Sequence, residues 1–303
     1  SLGTMVQSAG EQAYHVIVET LPKAMALLAF RHERRMHDLP LLWPGPVTAF
    51  LRDVVSQIHD RMRAADLLLR DESTAPSFIF DERGVYHCAT RLYVAPPAIR
   101  GHPSASTLAL LRRAYMPPVA RAPANGAGAR TAATTVVVMA RTNASRANWT
   151  NLDECVNALR ARLPFATIRV FDGNSHPGLA PMAEACSMAS LVVGPHGAGL
   201  SGIVFARRGT AVLEARTPSE PAWFSHISAT LGLRYRTMPL ANGSFHKSHS
   251  VSIDAEALAD AALEFLCAAC TRSHGVRDDA DRRREPDTSD DEEEEEDERE
   301  PKG

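Results

Sequence analysis

The sequence predicts an α/β protein whose carboxy-terminal half is a Rossmann-like, doubly wound parallel sheet, and three observations carry that expectation. Between Thr131 and Cys270, strand and helix patterns alternate five times. The strand segments are continuous apolar runs, such as Val136-Val137-Val138-Met139 and Leu191-Val192-Val193, as a sheet covered on both faces requires. A glycine-bearing turn, Gly194-Pro195-His196-Gly197-Ala198-Gly199-Leu200, follows one of these strands and opens the next helix.

The elements follow in order. Apolar residues recur at three- and four-residue spacing from Gln12 to Arg31, which predicts an amphipathic helix interrupted near Pro22. A second helix is expected from Val47 to Arg61, β-rich runs at Ser77 to Phe80 and Val85 to Val94, and a third helix at Ser104 to Tyr115. Met116 to Arg130, dense in Pro, Gly and Ala without an apolar period, reads as a linker. Beyond it come strands at Thr134 to Ala140, Ile168 to Phe171, Leu191 to Val193, Ala211 to Glu214 and Arg234 to Met238. Between and after them lie helices at Asn151 to Leu163, Leu179 to Met188, from Leu200, Pro221 to Leu231, and Asp254 to Cys270. Asn151 and Glu154 have the spacing of an N-cap and its capping-box partner. In such a sheet, ligands bind at the carboxyl ends of the strands.

A chain of 303 residues accommodates two domains. The expected division is an amino-terminal α/β domain over residues 1–123, the Rossmann-like domain over 124–276, and an acidic tail over 277–303. An apolar share of 45% provides for a sizeable core. The tail holds 15 acidic against 6 basic side chains and cannot bury apolar surface, so it is expected to be disordered. Residues 1–276 then carry 27 basic and 21 acidic side chains, a balance that suits an anionic ligand. No nucleic-acid partner is expected.

The five cysteines are too few and too irregular for a disulfide scaffold, and Cys267-Ala-Ala-Cys270 reads as a buried structural pair or a simple disulfide. No window has the length and apolarity of a membrane span. The chain opens on Ser1 and enters a helical pattern almost at once, so any membrane anchor is expected in an upstream segment. Three sequons, at Asn143, Asn148 and Asn242, fit passage through the secretory pathway, although the first two fall in a loop assigned here to ligand binding.

The glycine turn is the most informative chemical feature. Glycines admit close approach of a ligand to the backbone, and the amides of the next helix start make an anion site to which His196 can add a donor. The pattern is neither G-x-G-x-x-G nor a phosphate loop of the G-x-x-x-x-G-K-[ST] kind, so nicotinamide, flavin and P-loop readings are unsupported. An oxyanion-hole reading of His-Gly-Ala-Gly lacks its nucleophile elbow, because Gly199-Leu-Ser201-Gly202 misplaces the second glycine. Arg141 and Arg146 lie just past a strand end, where guanidinium forks suit diphosphate oxygens. Glu214 ends the strand beyond the glycine turn and can accept from ribose hydroxyls. His15 and Glu19, four apart, share a helix face as an ion pair or as candidates for a general base. No Cys/His cluster has zinc spacing and the D-x-D-like groups fall at and beyond Asp278, so no metal is expected.

Three blocks resemble glycosyltransferase family 61, which includes plant xylan arabinosyl- and xylosyltransferases and animal protein O-linked N-acetylglucosaminyltransferases. Tyr14-His15-Val-Ile-Val-Glu19-Thr-Leu-Pro22 resembles its Y-H-x-x-x-[ED]-x-L-P opening. Arg141, Arg146 and Asn151-Leu-Asp-Glu154 resemble its arginine loop and N-E-[DE]-E helix start. Ala189-Ser-Leu-Val-Val-Gly194-Pro-His196-Gly-Ala-Gly-Leu200, with Phe205 and Val212-Leu-Glu214, resembles its A-D-V-L-V-G-x-H-G-A-G-L signature and later F and V-x-E. The resemblance implies a GT-B fold of two facing Rossmann-like domains in the Golgi or ER lumen. It implies inverting transfer of a hexosyl, pentosyl or N-acetylhexosaminyl group from a nucleotide-sugar, usually a UDP-sugar, to a glycan or protein hydroxyl.

On that resemblance Arg141, Arg146, His196, Gly197, Ala198, Gly199, Leu200 and Glu214 hold the donor, and His15 or Glu19 positions or deprotonates the acceptor. Leu152 and Ser190 depart from the acidic residues usual at their positions, and an upstream part of the first domain is expected ahead of Ser1. Leu152 and the short amino terminus favour the alternative, a non-catalytic member acting as a nucleotide-binding or interaction module.

Overall fold

Val136, Val137 and Val138 are all fully buried, yet successive residues of the strand enter different cores. Val137 and Met139 join Val192 and Val212 on one face, while Val136 and Val138 join Leu191, Val193, Ala211 and Leu213 on the other. Side chains of a strand alternate across the sheet, so a run without polar interruptions demands two covered faces. Each valine thus withdrawn from water contributes on the order of 1.5–3 kcal/mol before chain entropy is counted.

The computed structural model describes residues 2–4, 16–36, 39–43, 49–65, 67–68, 78–80, 92–94, 103–116, 134–142, 148–173, 175–176, 178–243 and 249–272. Ser1–Leu266 forms one compact unit and Cys267–Gly303 a second. Within the first lies a five-stranded sheet made of β5 (Thr134–Ala140), β7 (Ala166–Asp172), β8 (Leu191–Pro195), β9 (Ala211–Arg216) and β10 (Arg234–Pro239). Its order is β10-β9-β8-β5-β7 and every pairing is parallel, so the Rossmann-like sheet predicted from the sequence is present.

Helices α4 (Leu152–Arg162) and α7 (Ala255–Arg272) cover one face, contributing Cys155, Val156, Leu159, Leu258 and Ala262 to its core. On the other face lie α5 (Leu179–Ser187), a 3-10 turn (Ala198–Phe205) and α6 (Trp223–Leu231), with Met182, Cys186, Ile203, Phe205 and Ile227 buried there. A short parallel pair, β6 (Asn148–Trp149) with β11 (Ser250–Val251), ties the start of α4 to that of α7.

The amino-terminal segments form a second parallel sheet of β1 (Leu2–Thr4), β2 (Leu41–Trp43), β3 (Phe78–Phe80) and β4 (Leu92–Val94), in the order β3-β2-β1-β4. With it come α1 (Leu21–Glu33), α2 (Ala49–Ala64) and α3 (Ala105–Tyr115), whose Leu28, Ile58 and Leu111 share a core with α5 and the 3-10 turn. Arg112 of α3 reaches across, donating from Nη1 to the carbonyls of Val204 at 2.7 Å and Ala206 at 2.6 Å.

Several sequence expectations change. Pro22 does not interrupt a helix: it sits in the first turn of α1, where its missing N–H has no intrahelical partner to lose, and a π-turn over Val16–Thr20 precedes it. Asn151 is not a side-chain cap for α4. Its Oδ1 instead accepts from the Ile253 amide (3.1 Å) and Trp149 Nε1 (3.2 Å), and its Nδ2 donates to the Ile253 carbonyl (2.8 Å) and Glu154 Oε2 (3.0 Å).

Asn148, expected in a ligand loop, lies in β6 because its amide donates to His249 and the next but one, Thr150, to Val251. Cys267 is an exposed free thiol rather than half of a buried pair or disulfide.

Candidate functional site

Counted from β5, the sheet order is second-first-third-fourth-fifth, so the chain leaves β5 in one direction to β7 and returns past it to β8. Such a reversal opens a crevice outside the carboxyl ends of the two strands that part there, and ligands of open α/β sheets bind in it. The register fixes what stands at this point. Val138 pairs with Val193, and Arg141 and His196 each lie three residues further on, at one level of neighbouring strands.

The glycines of the turn after β8 serve the chain before any ligand. A Cβ at Gly194 would come within 3.1 Å of Met139 Cβ and 3.2 Å of its carbonyl oxygen, so this glycine admits β5 against β8. Gly197 has φ +139°, a conformation that side chains rarely adopt, and it turns the backbone out of the strand into the 3-10 turn. The structure shows a 3-10 turn over Ala198–Phe205 where the sequence predicted a short helix from Leu200. The amides of Ala198 and Gly199 precede the first bond of the turn, from the Leu200 amide to the Gly197 carbonyl at 3.0 Å, and so suit an anion.

Behind the turn is a buried polar network. Glu214 of β9 is fully buried and His196 is 1% exposed, with His196 Nδ1 at 2.5 Å from Glu214 Oε1. The other carboxylate oxygen, Oε2, accepts the hydroxyl of Tyr235 from β10. Burial pushes the pKa of Tyr235 well above the usual phenol range, the Glu214 charge adds to this and Arg216 opposes it, so the hydroxyl stays protonated and donates. The His196 amide donates to the Ala215 carbonyl at 2.8 Å, and the imidazole packs edge-on to Phe224 with Trp223 at 6.1 Å.

The loop that follows β9 is equally held: Thr217 donates its amide to Glu220 Oε2 at 2.7 Å, and Arg216 donates to the Glu220 carbonyl. On the other side of β5 from the switch point, Thr142 Oγ1 donates to Asp172 Oδ2 at 2.7 Å, closing the end of β5 onto the end of β7.

The predicted residues are distributed as follows. Arg141, His196, Gly197, Ala198, Gly199, Leu200 and Glu214 all stand at or beneath the carboxyl edge of the sheet. Arg141 is half-buried, and its desolvation lowers the guanidinium's affinity for its proton without bringing it near neutrality. Leu200 is buried in the core rather than open to the edge, and both Glu214 oxygens take protein groups where ribose hydroxyls were expected. Glu19 lies on the π-turn ahead of α1, with its side chain outside the described residues. His15 and Arg146 also lie outside them.

Sequence reasoning missed Tyr235, Arg216, Glu220, Trp223 and Asp172. Only Asp172 carried a readable signal, as an acidic residue at the end of an apolar strand.

Among the described residues no three His, Cys, Asp or Glu side chains gather as a metal site, and no helix is long and apolar enough to cross a membrane. A family model described as Glycosyltransferase 61 matches residues 13–213, about two-thirds of the chain, covering both the opening block and the glycine turn. No curated protein matches the chain.

Proposed function

The chain belongs to glycosyltransferase family 61, and from that premise we propose an inverting transfer of a hexosyl, pentosyl or N-acetylhexosaminyl group from a UDP-sugar to a glycan or protein hydroxyl in the Golgi or ER lumen. The observation that carries the reading is the coincidence, at the topological switch point between β5 and β8, of Arg141 with the Gly194–Leu200 turn. A cation and a row of helix-start amides converging on one crevice suit a nucleoside diphosphate. In this reading Arg141 and Arg146 neutralise the diphosphate, and the amides of Gly197, Ala198 and Gly199 take the oxygens that gain charge as the sugar leaves, the Leu200 amide being donated to the Gly197 carbonyl. Across the cleft His15 or Glu19 orients or deprotonates the acceptor hydroxyl. The second parallel sheet, β3-β2-β1-β4, supports an acceptor-side domain of the GT-B kind.

The test is titration calorimetry with UDP and with UDP-sugars on the full chain. Expected is binding of UDP and a loss of about tenfold to a hundredfold in affinity for Arg141→Ala, since a charge-assisted hydrogen bond contributes about 1.5–3 kcal/mol. A folded protein that binds neither UDP nor any UDP-sugar would overturn the donor site. Sugar release stimulated by acceptor, abolished in a His15→Ala, Glu19→Ala double variant, is the expected outcome on the acceptor side.

A further inference from the structure

Tyr235 belongs to none of the sequence blocks that carry the family resemblance, yet it completes the most buried polar group of the sheet. Register explains how. Glu214 is opposite Gly194 on β8 and Thr237 on β10, so His196 and Tyr235 stand two residues off on either side, in the diagonal positions that long side chains bridge. Val212 and Glu214 share a face, and that face carries Val212 into the core beneath α6. A carboxylate there has lost its water and must be satisfied by protein donors. Its Oε1 takes His196 Nδ1 and its Oε2 the Tyr235 hydroxyl.

We propose that Tyr235 is a positioning residue of the donor site: its hydroxyl occupies Glu214 Oε2, commits Oε1 to His196 Nδ1, and so fixes the tautomer and orientation of the imidazole at the Gly197 turn. The proposal rests on the reading of this edge as the donor site. Arg216, on the same face of β9 as Glu214, acts on the Tyr235 hydroxyl in the opposite sense to the carboxylate. With the Nδ1 proton committed to the carboxylate, the neutral ring carries its lone pair on Nε2, so the same contact sets which ring atom donates and which accepts. The turn is tied to the same unit through the His196 amide on the Ala215 carbonyl.

The experiment is a long-range proton–nitrogen NMR spectrum of histidine-labelled protein, with His196 assigned by His196→Gln, paired with UDP calorimetry. The unsubstituted protein is expected to show His196 protonated at Nδ1. Tyr235→Phe, which removes only the hydroxyl, is expected to show mixed tautomers and about tenfold weaker UDP binding with an unchanged circular dichroism spectrum. An unchanged Nδ1 pattern in Tyr235→Phe overturns the proposal even where its melting temperature falls, because a packing role moves stability alone. Should that variant not fold, the deuterium isotope shift at Tyr235 Cζ in the unsubstituted protein decides, and a freely exchanging hydroxyl overturns it. A tautomer change in a protein that does not bind UDP supports the positioning role and refutes the donor instead.

Discussion

His196 Nδ1 and Glu214 Oε1 lie 2.5 Å apart with both side chains out of water, one at the end of β8 and the other within β9. The pair therefore fastens the glycine turn to the neighbouring strand from beneath. Removing one partner leaves the other polar and buried. Glu214→Ala is accordingly expected to cost about 3–5 kcal/mol by chemical denaturation, whereas Glu214→Gln, which keeps an acceptor for Nδ1, costs less. Equal and small losses in both would mean that the carboxylate is not needed for the fold of the turn.

Asn151 supplies a second prediction, because its observed role differs from its position at the start of α4. Serine is as good a helix cap as asparagine, so Asn151→Ser would be nearly neutral in a capping role. In the structure the carboxamide satisfies both the amide and the carbonyl of Ile253, at 3.1 and 2.8 Å, and accepts from the buried Trp149 indole. Serine reaches none of these together. Asn151→Ser is expected to lose about 2–3 kcal/mol from orphaned backbone groups, read as a lowered denaturation midpoint, and a neutral result would restore the cap.

The same contrast shows what could be read from the sequence. The central strands β5, β8 and β9 were legible because each is built on an apolar run buried on both faces, and the flanking β7 and β10, which carry Arg169, Arg234 and Arg236, because they fall in the alternation of strand and helix. The glycine turn was legible because so abrupt a passage from strand to helix favours a residue at positive φ, here Gly197. The partners of the site were not. Tyr235 and Glu214 are 21 residues apart and meet only through the register of β9 and β10. Asn151 and Ile253 are 102 residues apart and meet through β6 and β11, strands of two residues each that carry no periodic signal. Local pattern encodes elements, and long-range pairing encodes polar networks.

The thiols make a third prediction. Burial pushes Cys155 up to about 11, with the Glu154 charge assisting, and Cys186 up to about 12. Cys267 is exposed and free. At neutral pH a thiol reagent is expected to label Cys267 in the native protein, and Cys155 and Cys186 only after unfolding. Folded-state values above the unfolded value of about 8.5 mean that the native thiols hold their protons more tightly. Their contribution is whole below that pH and is lost as pH rises toward 11–12, so stability should fall with pH across that window. Cys155→Ala, Cys186→Ala protein should lose much of that alkaline slope, and an identical slope would refute the assignment.

Glycosylation gives the last prediction, since the two described sequon asparagines are presented differently. Asn242 is exposed beside Gly243, which has φ +84°, and its own Oδ1 accepts the Gly243 amide at 2.8 Å in a tight turn. Asn148 is only half exposed, its backbone amide pairs with His249, and its Oδ1 is buried. A glycan at Asn148 would have to break the β6–β11 pair, separating the start of α4 from that of α7. One at Asn242 would project from the surface without touching a core residue. In protein secreted from a eukaryotic host, Asn242→Gln is expected to remove a glycosidase-sensitive mass step, while Asn148→Gln leaves the glycan pattern unchanged. Occupancy of Asn148 in folded, secreted protein would show that the β6–β11 pair opens.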